Sequence, residues 1–105
     1  MKILDKEIDI DLDDAESIDR LKELDSSYAE KIKGLTTLTE QCQVYKDFFD
    51  NAIGEGTSAK LFGEKNNYMQ IVKAYNEFVD RIEEKVNEFM EEAQKAQKRY
   101  ERYVK

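Results

Sequence analysis

The stretch Gly54-Glu55-Gly56-Thr57-Ser58-Ala59-Lys60 gathers two glycines, a Thr-Ser pair and a lysine. These are the parts of a phosphate-cradling loop. Glycines let backbone N–H groups turn toward an anion, lysine supplies charge, and a hydroxyl holds magnesium. The spacing does not follow that chemistry. A Walker-type loop reads G-x-x-x-x-G-K-[ST], whereas Gly54 and Gly56 are two apart and Lys60 follows Ala59 and precedes Leu61. Such a loop also needs a buried strand leading into it, and residues 44–53 carry helical spacing.

Other chemistries are equally short of parts. The chain has no His and one Cys, so zinc sites and a Cys–His nucleophile are not expected. Cys42 reads as a small buried apolar residue. The alternating run Asp9-Asp11-Asp13 suggests a calcium loop. However, the glycine position of that loop falls on Asp14 and its twelfth on Arg20, and both are wrong for an EF-hand. Glu83-Glu84 and Glu91-Glu92 alternate with Arg81 and Lys85 as an ordinary solvated helix face. No catalytic residue, metal ligand or cofactor is expected.

The elements around the glycine stretch are therefore more informative than the stretch itself. The expected architecture is mainly α. It has a three-helix core, a long C-terminal helix and a short N-terminal β-hairpin, in a single domain over residues 1–105. Residues 1–13 are expected to form the hairpin. Ile8, Ile10 and Leu12 alternate with Asp9, Asp11 and Asp13 as a strand over 7–13, with a turn at Asp5-Lys6. Residues 14–34 follow as the first helix, with Asp13 and Glu16 spaced as a capping box and Gly34 as a left-handed terminator. The second helix is expected over 37–54, capped by Thr37-x-x-Glu40, with a wide aromatic stripe through Tyr45, Phe48 and Phe49. A glycine-rich connector spans 55–66. Gly54 just before it, with Gly56 and Gly63 inside it, brackets one short helical turn at 58–62, with Leu61 and Phe62 reaching the core.

The last helix, over 67–105, has the most regular pattern. Tyr68, Val72, Tyr75, Val79, Ile82, Val86, Phe89, Ala93, Ala96, Tyr100 and Tyr103 step by four and three without a break. That is a heptad seam of about five repeats, widened by Ile71, Phe78, Met90 and Val104. At 1.5 Å per residue the helix is about 55 Å long, nearly twice either partner. Two arrangements fit. In one, the first helix lies along the far half. In the other, Val86, Phe89, Met90, Ala93, Ala96, Tyr100, Tyr103 and Val104 stay uncovered and meet another chain, a second copy included.

The net charge of −7 sits in the first third: residues 1–30 carry 11 acids and 4 bases, while later segments balance. An acidic chain repels phosphate backbones, so nucleic acid is not an expected partner. No apolar run reaches membrane-spanning length and none looks like a signal peptide, so an intracellular protein without membrane contact is expected.

The glycine stretch also has a family likeness. DFFDNAIGEGTSAKLFGEKNNYMQIVKAYNEFV, residues 47–79, resembles small proteins from the tail-gene region of phages and prophages of Gram-positive bacteria. The likeness lies in the Phe48-Phe49-Asp50 helix end, Gly54 to Thr57, Lys60 with Phe62-Gly63, and Tyr75-x-x-Phe78-Val79. The hairpin fits too, with Asp5-Lys6 where an Asn-Gly-Lys turn is common. The sequence departs from the family in its longer last helix and in Gly63-Glu64 standing for a Gly-Gly pair. The resemblance implies a non-enzymatic tail morphogenesis protein in the cytoplasm of the infected or lysogenic host. It points to a tail assembly chaperone that coats the hydrophobic helices of the tape-measure protein. The alternatives are a structural tail component or a phage-encoded helical adaptor or inhibitor. A small ligand binder using the glycine segment is the remaining one.

Overall fold

The computed structural model describes residues 1–103. Val104, assigned above to the apolar stripe, lies outside them. Six elements follow in order: β1 (Lys2–Ile3), β2 (Lys6–Glu7), α1 (Ala15–Lys33), α2 (Leu38–Ala52), α3 (Thr57–Phe62) and α4 (Tyr68–Tyr103). The fold is mainly α, with a long C-terminal helix and a short antiparallel N-terminal hairpin.

The hairpin is shorter than the alternating pattern suggests. Lys2 pairs with Glu7 and Ile3 with Lys6. The two-residue turn is Leu4-Asp5, with φ of 52° and 63°, rather than Asp5-Lys6. Two consecutive positive φ values give the turn the twist its strands need. Pairing ends where the Ile8 N–H donates to the Met1 carbonyl at 2.7 Å. Residues 9–13 keep the alternation without a partner strand: Ile10 and Leu12 rest on the core while Asp9, Asp11 and Asp13 face water. Period-two burial needs an apolar surface on one side, but a strand also needs a ladder, and only the first condition is met here.

Local side chains explain where each helix begins. Asp14, not Asp13, caps α1 by accepting from the Ser17 N–H at 3.1 Å. Thr37 caps α2 through the Glu40 N–H at 3.2 Å, and its hydroxyl donates to the Glu40 carboxylate at 2.7 Å. Asn67 accepts from the Gln70 N–H at the head of α4, at 3.1 Å. Each satisfies an amide that the helix itself cannot. Gly34 ends α1 with φ of −84°, so the left-handed terminator expected there is not used. The carbonyls of Ile32 and Lys31 accept from its N–H in ordinary right-handed geometry instead.

Side-chain contacts set the helix directions. Arg20 of α1 donates to the Asn51 and Ala52 carbonyls at the end of α2, and Tyr28 packs edge-on to Phe48. The two helices are thus antiparallel. Arg20 meets carbonyls that α2 leaves unpaired, at the negative end of its dipole. α4 runs alongside α2, with Tyr68 donating to Gln41 and Phe78 meeting Phe48, and opposite to α1. Phe48 is the hub of the core, touching the rings of Tyr28, Phe49, Tyr75 and Phe78 at centroid distances of 5.3–5.9 Å. Burying a side chain of this size contributes roughly 2–3 kcal/mol, before any edge-to-face gain.

On α4, the line that reaches the core is Ile71, Ala74, Phe78 and Ile82. Val72, Tyr75 and Val79 of the expected seam are half-buried beside it. A single partner helix would read the heptad line. Here α1, α2 and the hairpin all pack on the front half of α4, so the buried face is wider and turned by about one residue.

Candidate interaction surface

The glycine stretch is a structural corner in which the hydroxyls, the lysine and the Ser58 amide of the supposed phosphate cradle are already used. Asp50 of α2 accepts from the Ser58 N–H and the Ser58 hydroxyl, each at 2.8 Å. The carboxylate therefore stands at the α3 N-terminus, where a phosphate would sit. The Thr57 hydroxyl donates to the Gly54 carbonyl at 2.7 Å. Lys60 reaches the Glu7 carbonyl at 2.6 Å, and Lys6 returns to the carbonyls of Lys60 and Leu61 at 2.9 and 3.0 Å. These reciprocal lysines fasten the hairpin to α3. Gly56 and Gly63 take φ of 91° and 66°, which only glycine adopts at little cost. Leu61 and Phe62 are buried, as the spacing predicts.

The back half of α4 has the opposite character. Val86 and Phe89 are half-buried against the edge of the core. From Met90 onward every described residue is exposed. Met90 is 57% exposed, Tyr100 67% and Tyr103 88%, with Ala93 and Ala96 also open between them. The first helix does not lie along this half. α1 runs back along the front of α4, and Asp13, just before it, meets Lys85 at 3.0 Å. A helix of 36 residues, about 54 Å long, cannot be covered by neighbours of 19 and 15 residues packed on its front. The described chain accordingly extends 60 × 30 × 20 Å.

Charge marks the boundary between the halves. Lys85 sits between Asp13 and Glu88, both at 3.0 Å, and the hydrogen bonds it donates to these carboxylates hold its ammonium above the usual lysine range. Deeper in, Tyr75 donates to Asp25 across the α1–α4 contact. Burial, followed by that hydrogen bond and the Asp25 charge, pushes the Tyr75 phenol well above its ordinary range. Tyr45, tilted against it with centroids 4.9 Å apart, is raised mainly by burial. These groups tie helices together. Among the described residues, no cluster of His, Cys, Asp or Glu has the spacing to hold a metal ion.

The expected stripe therefore falls into two groups. Met90, Ala93, Ala96, Tyr100 and Tyr103 form an open face, while Val86 and Phe89 join it to the core. Gly54, Gly56 and Gly63 belong to the separate corner. Sequence spacing did not reveal the Asp50–Ser58 clamp, the Arg20 contact or the central place of Ala74. The first two join residues 8 and more than 30 positions apart, and no local pattern encodes them.

No helix among the described residues is long and apolar enough to cross a membrane. A family model described as "Family of unknown function (DUF6673)" matches residues 4–105. No curated protein and no solved structure matches the chain.

Proposed function

The chain belongs to the DUF6673 family, a family of unknown function, and we propose that it is a non-enzymatic helical interaction protein whose working surface is the back half of α4. The observation that carries this reading is the exposure of Ala93, Ala96, Tyr100 and Tyr103 on the heptad line, with Met90 beside it, of a helix that projects past its own core. An amphipathic helix with an uncovered apolar stripe accepts another helix laid along it. Tyrosines suit such a face, because each ring has an apolar body and a hydroxyl for a wet rim.

The resemblance over residues 47–79 supports the finer reading. The protein is a tail assembly chaperone that shields apolar helices of a phage tape-measure protein in the host cytoplasm and self-associates through the same face. The acidic first third keeps the body of such a chaperone soluble while the stripe is occupied. The test is capture of a purified tape-measure fragment by the wild-type chain and by Ala93→Glu. Capture by the wild type and its loss in the variant are expected. Equal capture by both would remove the stripe from the mechanism, and no capture by either would remove the tape-measure partner.

A further inference from the structure

The back half of α4 has its charges sorted along the helix. Residues 83–92 hold five glutamates and one lysine, whereas residues 94–103 hold Lys95, Lys98, Arg99 and Arg102 against Glu101. All of these except Lys85 are exposed. A second copy laid parallel would set acid beside acid and base beside base. Laid antiparallel, each acidic segment faces a basic one.

The apolar line fits the same orientation and supplies its register. Residues 86, 93 and 100 share one seam position, and 89, 96 and 103 share the other. In antiparallel pairs the first type layers against the second. Centring the pair between Ala93 and Ala96 puts Ala93 against the partner's Ala96, Phe89 against the partner's Tyr100, and Val86 against the partner's Tyr103. Small side chains then meet at the centre, where the helices can approach to the short end of the usual 8–10 Å, and large ones meet outside. In this register Glu92 faces the partner's Arg99 twice, once on each side of the two-fold axis. The overlap stops at residue 86 for a structural reason: Asp13 and Lys85 close that level of α4.

We infer that the occupant of this face is a second copy of the chain, bound antiparallel through residues 86–103 with its axis between Ala93 and Ala96. This rests on the reading of the back half of α4 as the working surface and deepens it by naming one partner and its register.

Charge exchange tests the register without touching the core. Glu92→Arg and Arg99→Glu are each expected to weaken self-association, measured by analytical ultracentrifugation, by roughly tenfold, since each turns two attractive pairs into repulsive ones. An equimolar mixture of the two variants should regain wild-type association, because each chain then offers the charge the other needs. Tyr100→Cys reports orientation separately. In the proposed register the two introduced thiols lie about 16 Å apart along the axis, so oxidation leaves the pair unlinked, and Cys42 is buried and out of reach. Ready cross-linking of Tyr100→Cys, or a mixture that fails to regain association, overturns the register while leaving the working surface intact. A wild-type chain that stays monomeric overturns the second copy as occupant, and capture of the tape-measure fragment then decides the wider reading on its own.

Discussion

Asp50 holds Ser58 by both its backbone N–H and its hydroxyl, each at 2.8 Å, and so caps α3 from the helix before it. The connector is anchored by a side chain eight residues upstream, in the position where a bound anion would do the same work. Replacing Asp50 with Ala should cost about 1–2 kcal/mol, the usual range for losing a helix cap, as read by chemical denaturation. Inorganic phosphate should leave the wild-type midpoint unchanged. A clear stabilisation by phosphate would mean that the corner retains an anion site.

Gly56, Gly63 and Gly34 differ in what they require. Gly56→Ala and Gly63→Ala place a side chain at φ of 91° and 66°, with open space around it, so the cost is backbone strain alone, about 1 kcal/mol or more. Gly34→Ala sits at φ of −84°, with its nearest neighbour at an ordinary 3.7 Å. It should be neutral or stabilise by a few tenths of a kcal/mol. Thermal unfolding of the three variants side by side checks the contrast. Equal losses at all three positions would contradict the assignment.

Alkaline stability should depend on Tyr75. Its phenol is harder to ionise in the folded chain than in the unfolded one, because of burial and its bond to Asp25. Its contribution is therefore complete below the ordinary phenol value of about 10 and is lost as pH climbs through the raised folded value. Tyr75→Phe should be less stable near neutrality, leaving Asp25 without its donor, yet lose less stability than wild type between about pH 10 and pH 12. Denaturant midpoints across that window measure both slopes. Parallel slopes would show that another group governs the alkaline limb.

Phe48 touches four other rings and has no exposed surface. Phe48→Ala should cost about 3–5 kcal/mol, enough to leave much of so small a chain unfolded at 37 °C by circular dichroism. Ala93→Glu, on the open face, should leave the unfolding free energy of the monomer within about 0.5 kcal/mol of wild type. Phe89→Glu belongs between them, since that ring also packs on the core. Loss of interaction in Ala93→Glu therefore reports the surface itself, whereas loss in Phe89→Glu mixes surface with fold.

Local, periodic signals in the sequence determined the helices, the Thr37 cap, the buried Leu61-Phe62 pair and the long apolar line from Tyr68 to Tyr103. Helical spacing and capping geometry act over three or four residues, so the sequence displays them directly. The tertiary structure decided which face of α4 is buried, because three neighbouring elements share its front half and turn the core line to Ile71, Ala74, Phe78 and Ile82. It cut the expected strand to two residues, since alternation gives a buried face but not a ladder partner. It also decided the use of GEGTSAK. Asp50, Glu7 and Lys6 converge on that stretch only after the chain has folded, and they occupy the Ser58 amide and hydroxyl and the Lys60 carbonyl and ammonium that the spacing had left free. The exposure of the back half of α4 follows from the same cause: helix lengths are written in sequence, but where the shorter helices lie along the longer one is set by packing.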